Sequence, residues 1–243
     1  RSKGRDMQIW AHRGASARQP ENTLAAFKAA MGAGADGIEL DVQLSSDGVP
    51  VVIHDEKVER THKGTGWVAG HTVAQLQALP SLLKKNPDPL TTRIPTLAEV
   101  LELLAAGDQL INIELKNSVK PYKNLETKVL QMVAERKLAA RVVLSSFNHY
   151  SLQRLREKGW TGELAAIHDG MLREPWRYFR ELDVQALHPP RHVLMVPGYI
   201  TRAHRAGFVV RVWTVNKASQ RQRCERLGVD GIFTDVIKTQ PNW

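Results

Sequence analysis

Residues 32–44 read GAGADGIELDVQL. The glycines at 32, 34 and 37 are the signals that end a helix and lead into a strand. From Gly37 onward Ile38, Leu40 and Val42 alternate with Glu39 and Asp41. In an extended strand alternate side chains share a face, so the two acids project one way and the three apolar residues the other. The same helix–glycine–strand join recurs in EKGWTGEL (157–164) and RLGVDGIF (226–233).

Outward from this stretch, short Val- and Ile-rich runs alternate with amphipathic segments along nearly the whole chain. The pattern predicts strands at 8–11, 37–44, 110–115, 142–147, 163–167, 184–187, 208–215 and 231–234. Eight βα repeats in 243 residues are what a TIM (β/α)8 barrel needs; a doubly wound sheet of this length carries fewer strands. Between His54 and Pro95 no βα unit is legible, so a small insertion of about residues 55–95 is expected after the second strand region. Glycines 64, 66 and 70 in that segment miss the dinucleotide fingerprint: their last spacing is one residue too long and no apolar strand precedes them. Helix starts are readable as well. Asn22 or Thr23 can cap a helix whose Leu24, Phe27 and Met31 share a face, and Thr96 with Glu99 reads as a capping box.

Composition limits the function classes. Hydrophobic content of 42% and charged content of 24% belong to a globular protein. No apolar run is long enough to span a bilayer, so no stable membrane insertion is expected. The first six residues, RSKGRD, lack the apolar core of a signal peptide and read as a remnant of expression, with Met7 as native start. Residues 7–243 are then one catalytic domain, and the cytoplasm is the expected compartment. Cys224 is the sole cysteine, which excludes an internal disulfide, a cysteine zinc cluster and a CxxC redox pair. The net charge of +9 invites a nucleic-acid reading. However, Lys and Arg are scattered, and the small clusters at Lys84–Lys85 and at Arg221, Arg223 and Arg226 are not interleaved with stacking aromatics. A basic surface that attracts a small anionic substrate fits better than a nucleic-acid partner.

The chemistry-bearing residues sit at predicted strand ends. Glu39 and Asp41 share a face of one strand, and Glu114 and Lys116 share a face of the next in INIELK. His12 and Arg13 follow the first strand, and His54 closes the apolar run VPVVIHD. In a TIM barrel the C-terminal strand ends carry the active site. If these strands are neighbours, the three acids converge with His12 over one mouth. Carboxylates crowded there need a bound cation, salt bridges to neighbouring Lys or Arg, or simple exposure to solvent. Three acids without cysteine make a hard oxygen site suited to one divalent cation, Mg2+ or Ca2+ with Mn2+ acceptable. Arg13 and Lys116 beside it suit a phosphate group, and two histidines can serve as general acid and base. Asp55 and Glu56 are assigned to the following turn, and Glu99 to its helix cap.

With AHRG and PENT, IELDVQLSSDGVPVVIHD, IPTLAEVL, INIELK, LSSF, VWTVN and GVDGIFTD in this order, the chain resembles the glycerophosphodiester phosphodiesterase family through most of its length. The resemblance implies a TIM barrel with an insertion after the second strand. It also implies hydrolysis of small-molecule glycerophosphodiesters, such as glycerophosphocholine or glycerophosphoethanolamine, to sn-glycerol 3-phosphate and an alcohol. On the matching positions it implies that His12 and His54 are the acid–base pair. Glu39, Asp41 and Glu114 become metal ligands, and Arg13 and Lys116 hold phosphate. Trp213, and less strongly Phe147, would line the glycerol pocket; for Trp213 a packing role at the barrel mouth is the equal alternative. His188 in QALHPP can face the mouth, with its role open. The expected assembly is a monomer or homodimer. Two rivals remain: lysophospholipase D- or sphingomyelinase D-type cleavage on the same barrel, and a non-catalytic phosphate- or nucleic-acid-binding barrel.

Overall fold

The computed structural model describes residues 6–82 and 88–237. Lys84–Lys85 and the first five residues of the RSKGRD remnant lie outside the described residues. The elements run β1 (Gln8–Ala11), α1 (Leu24–Gly32), β2 (Gly37–Leu44), β3 (Pro50–Val52), α2 (Val73–Ala78), α3 (Pro89–Thr92), α4 (Leu97–Ala105), β4 (Leu110–Leu115) and α5 (Leu125–Glu135). The chain continues with β5 (Val142–Ser146), α6 (His149–Glu157), β6 (Glu163–Ile167), α7 (Pro175–Glu181), β7 (Ala186–His188), α8 (Tyr199–Arg205), β8 (Val209–Val212), α9 (Ala218–Leu227) and β9 (Gly231–Thr234).

Eight strands pair in parallel, and β1 closes the ring by bonding both β9 and β2. This is the (β/α)8 barrel that the helix–glycine–strand rhythm predicts. All eight β2 residues are buried although three of them, Glu39, Asp41 and Gln43, are polar, because a barrel strand is covered on both faces. Ile38, Leu40 and Val42 face outward into the main core with Phe27 of α1 and Leu97, Leu101 and Leu104 of α4. Glu39 and Asp41 face the barrel interior with Asn112 and Glu114, their register partners on β4.

The interior is packed below the mouth. Trp10, Val143, Ala165, Ala186 and Phe233 form one apolar cluster. Gly37 makes room for it: a Cβ there would lie 2.3 Å from the Trp10 ring. Arg211 stands over Trp10 at 5.0 Å from the ring centroid and pairs with Glu163.

Two departures concern the second strand region. The run before His54 supplies a ninth strand, β3, which turns back antiparallel on β2 with Val42 opposite Val52. The following segment is built rather than irregular. It carries a 3-10 turn at Val68–Gly70 and the short helices α2 and α3 around a separate core of Val51, Ile53, Val58, Val68, Leu76 and Ile94. Helices of six and four residues are too short to show a 3.6-residue period in sequence. Thr23 is the cap of α1, and the Thr96–Glu99 capping box is present. Of the Arg221, Arg223 and Arg226 cluster, Arg221 bonds Glu225 (2.9 Å) and Arg223 bonds the Leu194 carbonyl (2.9 Å). Those two guanidiniums are engaged with their own protein surface. Among the described residues no helix is long and apolar enough to cross a membrane.

Candidate active site

A cavity of about 230 Å3 opens at the C-terminal strand ends, lined among others by His12, Arg13, Glu39, His54, Glu114, Phe147, His188 and Trp213. The loop after β1 sets its first edge. Arg13 and Gly14 both have positive φ, +56° and +80°. At Gly14 a side chain is excluded outright, since a Cβ would lie 2.7 Å from the Ala26 backbone. This close approach folds the His12–Arg13 corner against α1, where Asn22 donates its backbone N–H to the Arg13 carbonyl (2.9 Å).

Glu39, Asp41 and Glu114 each offer a carboxylate oxygen within 4.8 Å of the others. Asp41 is 1% and Glu39 3% exposed. Burial, and then the charges of Asp41 and Glu114, push the Glu39 pKa well above the ordinary carboxylate range. Burial and the Asp41 charge likewise raise Glu114. Burial alone would raise Asp41 too, but nearby His54, Arg13 and Lys116 and a hydrogen bond from Asn22 hold it at about 2. Among the described residues its Oδ1 has no hydrogen-bond partner, although it is fully buried. An orphaned carboxylate oxygen beside two others of raised pKa is a donor set that a hard divalent cation fits.

Cationic side chains complete this wall. Arg13 lies with Nε 3.5 Å from Asp41, bonds Glu21 through Nη1 (2.9 Å), and donates its backbone N–H to Glu39 (2.8 Å). Lys116 Nζ is 3.2 Å from Glu114 and 3.2 Å from Nε2 of His54. Burial works against the Lys116 charge, but Glu114 and Asp41 outweigh it and raise its pKa. It is therefore an ammonium and a donor only.

Both histidines are oriented by a carboxylate. His12 Nδ1 meets Asp235 at 2.7 Å, and Asp235 is further held by Ser16 and by Asn216 at 2.6 Å. Against the upward push of burial, these bonds keep Asp235 ionised, with its pKa at about 2. His54 Nδ1 meets Asp55 at 2.6 Å, and Arg60 clamps Asp55 and Glu21 together. Ionised carboxylates only accept, so Nδ1 carries the proton in each pair and Nε2 is the exchangeable nitrogen.

The structure thus brings together the nine residues given roles in the sequence analysis, and His188, whose role was left open, lines the same cavity. The Asp55 carboxylate does more than begin a turn: it holds His54. Sequence reasoning missed Asp235, Glu21, Arg60 and the cavity-lining Asn112, Ile167 and Phe233. A signal for Asp235 existed, since Gly231, Phe233 and Asp235 share strand parity with the inner face. On the far wall Trp213 donates Nε1–H to the His188 carbonyl (2.7 Å) and meets Phe147 edge-on at 6.0 Å. Its ring both packs at the mouth and lines the cavity.

Residues 12–239 match the model of the glycerophosphoryl diester phosphodiesterase family. A glycerophosphodiester phosphodiesterase of Caldanaerobacter subterraneus subsp. tengcongensis is 40% identical over 234 residues, covering 96% of each chain. One from Bacillus altitudinis is 38% identical over 230 residues, 94% of each. Among solved structures, an Oleispira antarctica phosphodiesterase in complex with the product sn-glycerol-3-phosphate superposes with a TM-score of 0.81 at 28% identity, covering 95% of this chain and 93% of that one. A glycerophosphodiester phosphodiesterase from Thermotoga maritima gives 0.78 at 28% identity and 96% of each chain.

Proposed function

The chain belongs to the glycerophosphoryl diester phosphodiesterase family, a family of hydrolases, and we propose that it releases sn-glycerol 3-phosphate from diesters such as glycerophosphocholine and glycerophosphoethanolamine. One observation carries the reading: two histidines, each braced by a carboxylate through Nδ1, line one cavity with Arg13, Glu39 and Glu114, while Asp41 completes the carboxylate cluster and Lys116 lies against Glu114 and His54. A binding module needs phosphate-holding cations but no pair of braced proton carriers.

Arg13 and Lys116 take the phosphoryl oxygens and offset the charge that builds on them as the diester bond breaks. His12 and His54 exchange protons through Nε2, one accepting from the attacking oxygen and the other donating to the departing alkoxide. Asp235 and Asp55 fix the rings and stabilise whichever imidazolium forms. Glu39, Asp41 and Glu114 would hold one divalent cation, Mg2+, Ca2+ or Mn2+, which when bound supplies charge stabilisation at the phosphoryl group. Formal charges support this composition. With all three carboxylates ionised, Arg13 and Lys116 leave one excess negative charge, which would repel an anionic diester unless a dication were present.

Release of sn-glycerol 3-phosphate from glycerophosphocholine, with EDTA added and each cation restored in turn, tests the reading. Activity should fall with EDTA and recover with at least one cation, and His12→Ala and His54→Ala should each lose about 10²-fold or more in kcat. Near-normal turnover in both variants, or faster choline release from lysophosphatidylcholine than from glycerophosphocholine, would overturn it.

A further inference from the structure

The charged lining of the cavity comes from β1, β2 and β4, with His54 behind them, whereas β5 to β9 contribute Phe147, Ile167, Trp213 and Phe233. One polar side chain interrupts that apolar wall. His188 ends β7, is 1% exposed, and packs edge-on against Phe233 with ring centroids 4.9 Å apart.

Arg211 sets the state of this ring. Its Nη1 lies 3.4 Å from His188 Nε2. A guanidinium has only donors, so Nε2 keeps its lone pair and Nδ1 carries the hydrogen. Arg211 is fixed in turn by Glu163 and by the Trp10 face beneath it. Burial first, and then the Arg211 charge, hold the His188 pKa well below the usual imidazole range, so the ring is neutral. Among the described residues Nδ1 has no hydrogen-bond partner, while the neighbouring His188 carbonyl is taken by Trp213.

We infer that His188 Nδ1–H donates a hydrogen bond to a hydroxyl oxygen of the substrate's glycerol moiety, seating that moiety against the apolar wall. The inference rests on the glycerophosphodiester reading above. A single neutral donor among aromatic and aliphatic side chains matches an uncharged oxygen on a small carbon skeleton. The phosphate is claimed by Arg13 and Lys116 on the opposite wall. A cationic headgroup is disfavoured at His188, because it would meet the positive end of the N–H dipole with Arg211 behind it. His188 is then a specificity-determining residue, and Arg211 a positioning residue that fixes its tautomer.

The test compares wild type, His188→Leu and His188→Asn on glycerophosphocholine, glycerophosphoethanolamine and bis(p-nitrophenyl) phosphate, which lacks glycerol. His188→Leu should raise KM for both glycerol diesters about tenfold more than for the aryl diester, with a smaller effect on kcat. His188→Asn, whose amide N–H lies near the position of Nδ1, should restore most of that loss. Equal KM changes on all three substrates, or no gain from Asn over Leu, would overturn the inference. Nitrogen-15 NMR of the wild-type protein gives a readout independent of activity: near neutral pH His188 should show a protonated Nδ1 and a bare Nε2. The opposite tautomer, or a ring that titrates near neutrality, would also overturn it. A wild-type enzyme that cleaves the aryl diester but neither glycerol diester defeats the substrate reading itself, and the inference with it.

Discussion

At the scale of single residues, the proposed mechanism depends on partners as much as on the histidines. His12 stands in a conspicuous place, a charged group at the end of the first apolar run. Its partner Asp235 is 223 residues away and follows β9 as an ordinary Thr-Asp step, so nothing local ties the two together. Only strand parity, applied to a barrel already closed, places Asp235 at the mouth. Asp55 adjoins His54, yet a carboxylate beside a histidine is usually part of a turn, and Arg60 is what holds it in a bracing position. Asp235→Asn should leave the fold intact and lower kcat by about 10²-fold or more, because an amide can donate to Nδ1 and favour the wrong tautomer. Circular dichroism beside steady-state kinetics checks this; turnover within a few-fold of wild type would deny Asp235 its positioning role. The pH dependence has a defined sign. The native pKa of Asp235 lies below the ordinary value of 3.8, at about 2. Its contribution to stability is therefore present above 3.8 and is lost as pH falls toward 2. Near neutrality the brace does not titrate.

At the scale of elements, the parallel strands were legible because each is an apolar run bounded by glycine or polar turns. The acids of β2 and β4 were legible because period-two alternation sorts them onto one face. What failed was local and short: β3 has three residues and α3 four, and such pieces are fixed by the core they pack on. Strand ends moved for a similar reason. The continuous β8 ladder ends at Val212, although Trp213 still bridges Pro190 and Val215 still donates its N–H to the Phe233 carbonyl. A tight steric constraint is the meeting of β1 and β2 inside the barrel. Trp10 lies over Gly37, backed by Phe233 at 5.8 Å between ring centroids and by Arg211 on its face. A methyl group at Gly37 would fall 2.3 Å from a ring with nowhere to go. Gly37→Ala should therefore destabilise the protein by about 1–3 kcal/mol, the usual cost of overpacking a filled core. Urea denaturation reads this directly. A midpoint equal to that of wild type would mean that the interior relaxes around the indole, contrary to the packing described.

At the scale of the whole molecule, the charge distribution has two levels. The chain carries a net +9, which favours encounter with anionic diesters, while three acids are concentrated at the barrel mouth. Glu39 and Glu114 are held above their ordinary pKa by burial and by the charge of Asp41, so ionising them costs the folded state more than the unfolded chain. The sign follows: the penalty is absent below the ordinary carboxylate range, grows as pH rises through it, and is complete above the raised values. A dication bound to the cluster removes that penalty and adds its own binding free energy. At a hundredfold excess over Kd this amounts to about 2.7 kcal/mol, or roughly 5–10 °C in Tm for a chain of this size. Differential scanning fluorimetry of EDTA-treated protein should show that rise near pH 7.5 with at least one of Mg2+, Ca2+ and Mn2+, and a smaller rise near pH 5, where protons compete for the same oxygens. Glu39→Gln and Glu114→Gln should each raise the Tm of the cation-free protein, by removing one of the opposed charges, and abolish most of the cation-induced shift. A shift that survives both substitutions would place the cation elsewhere on the molecule, and the three acids would then be a repulsive cluster that Arg13 and Lys116 alone hold in place.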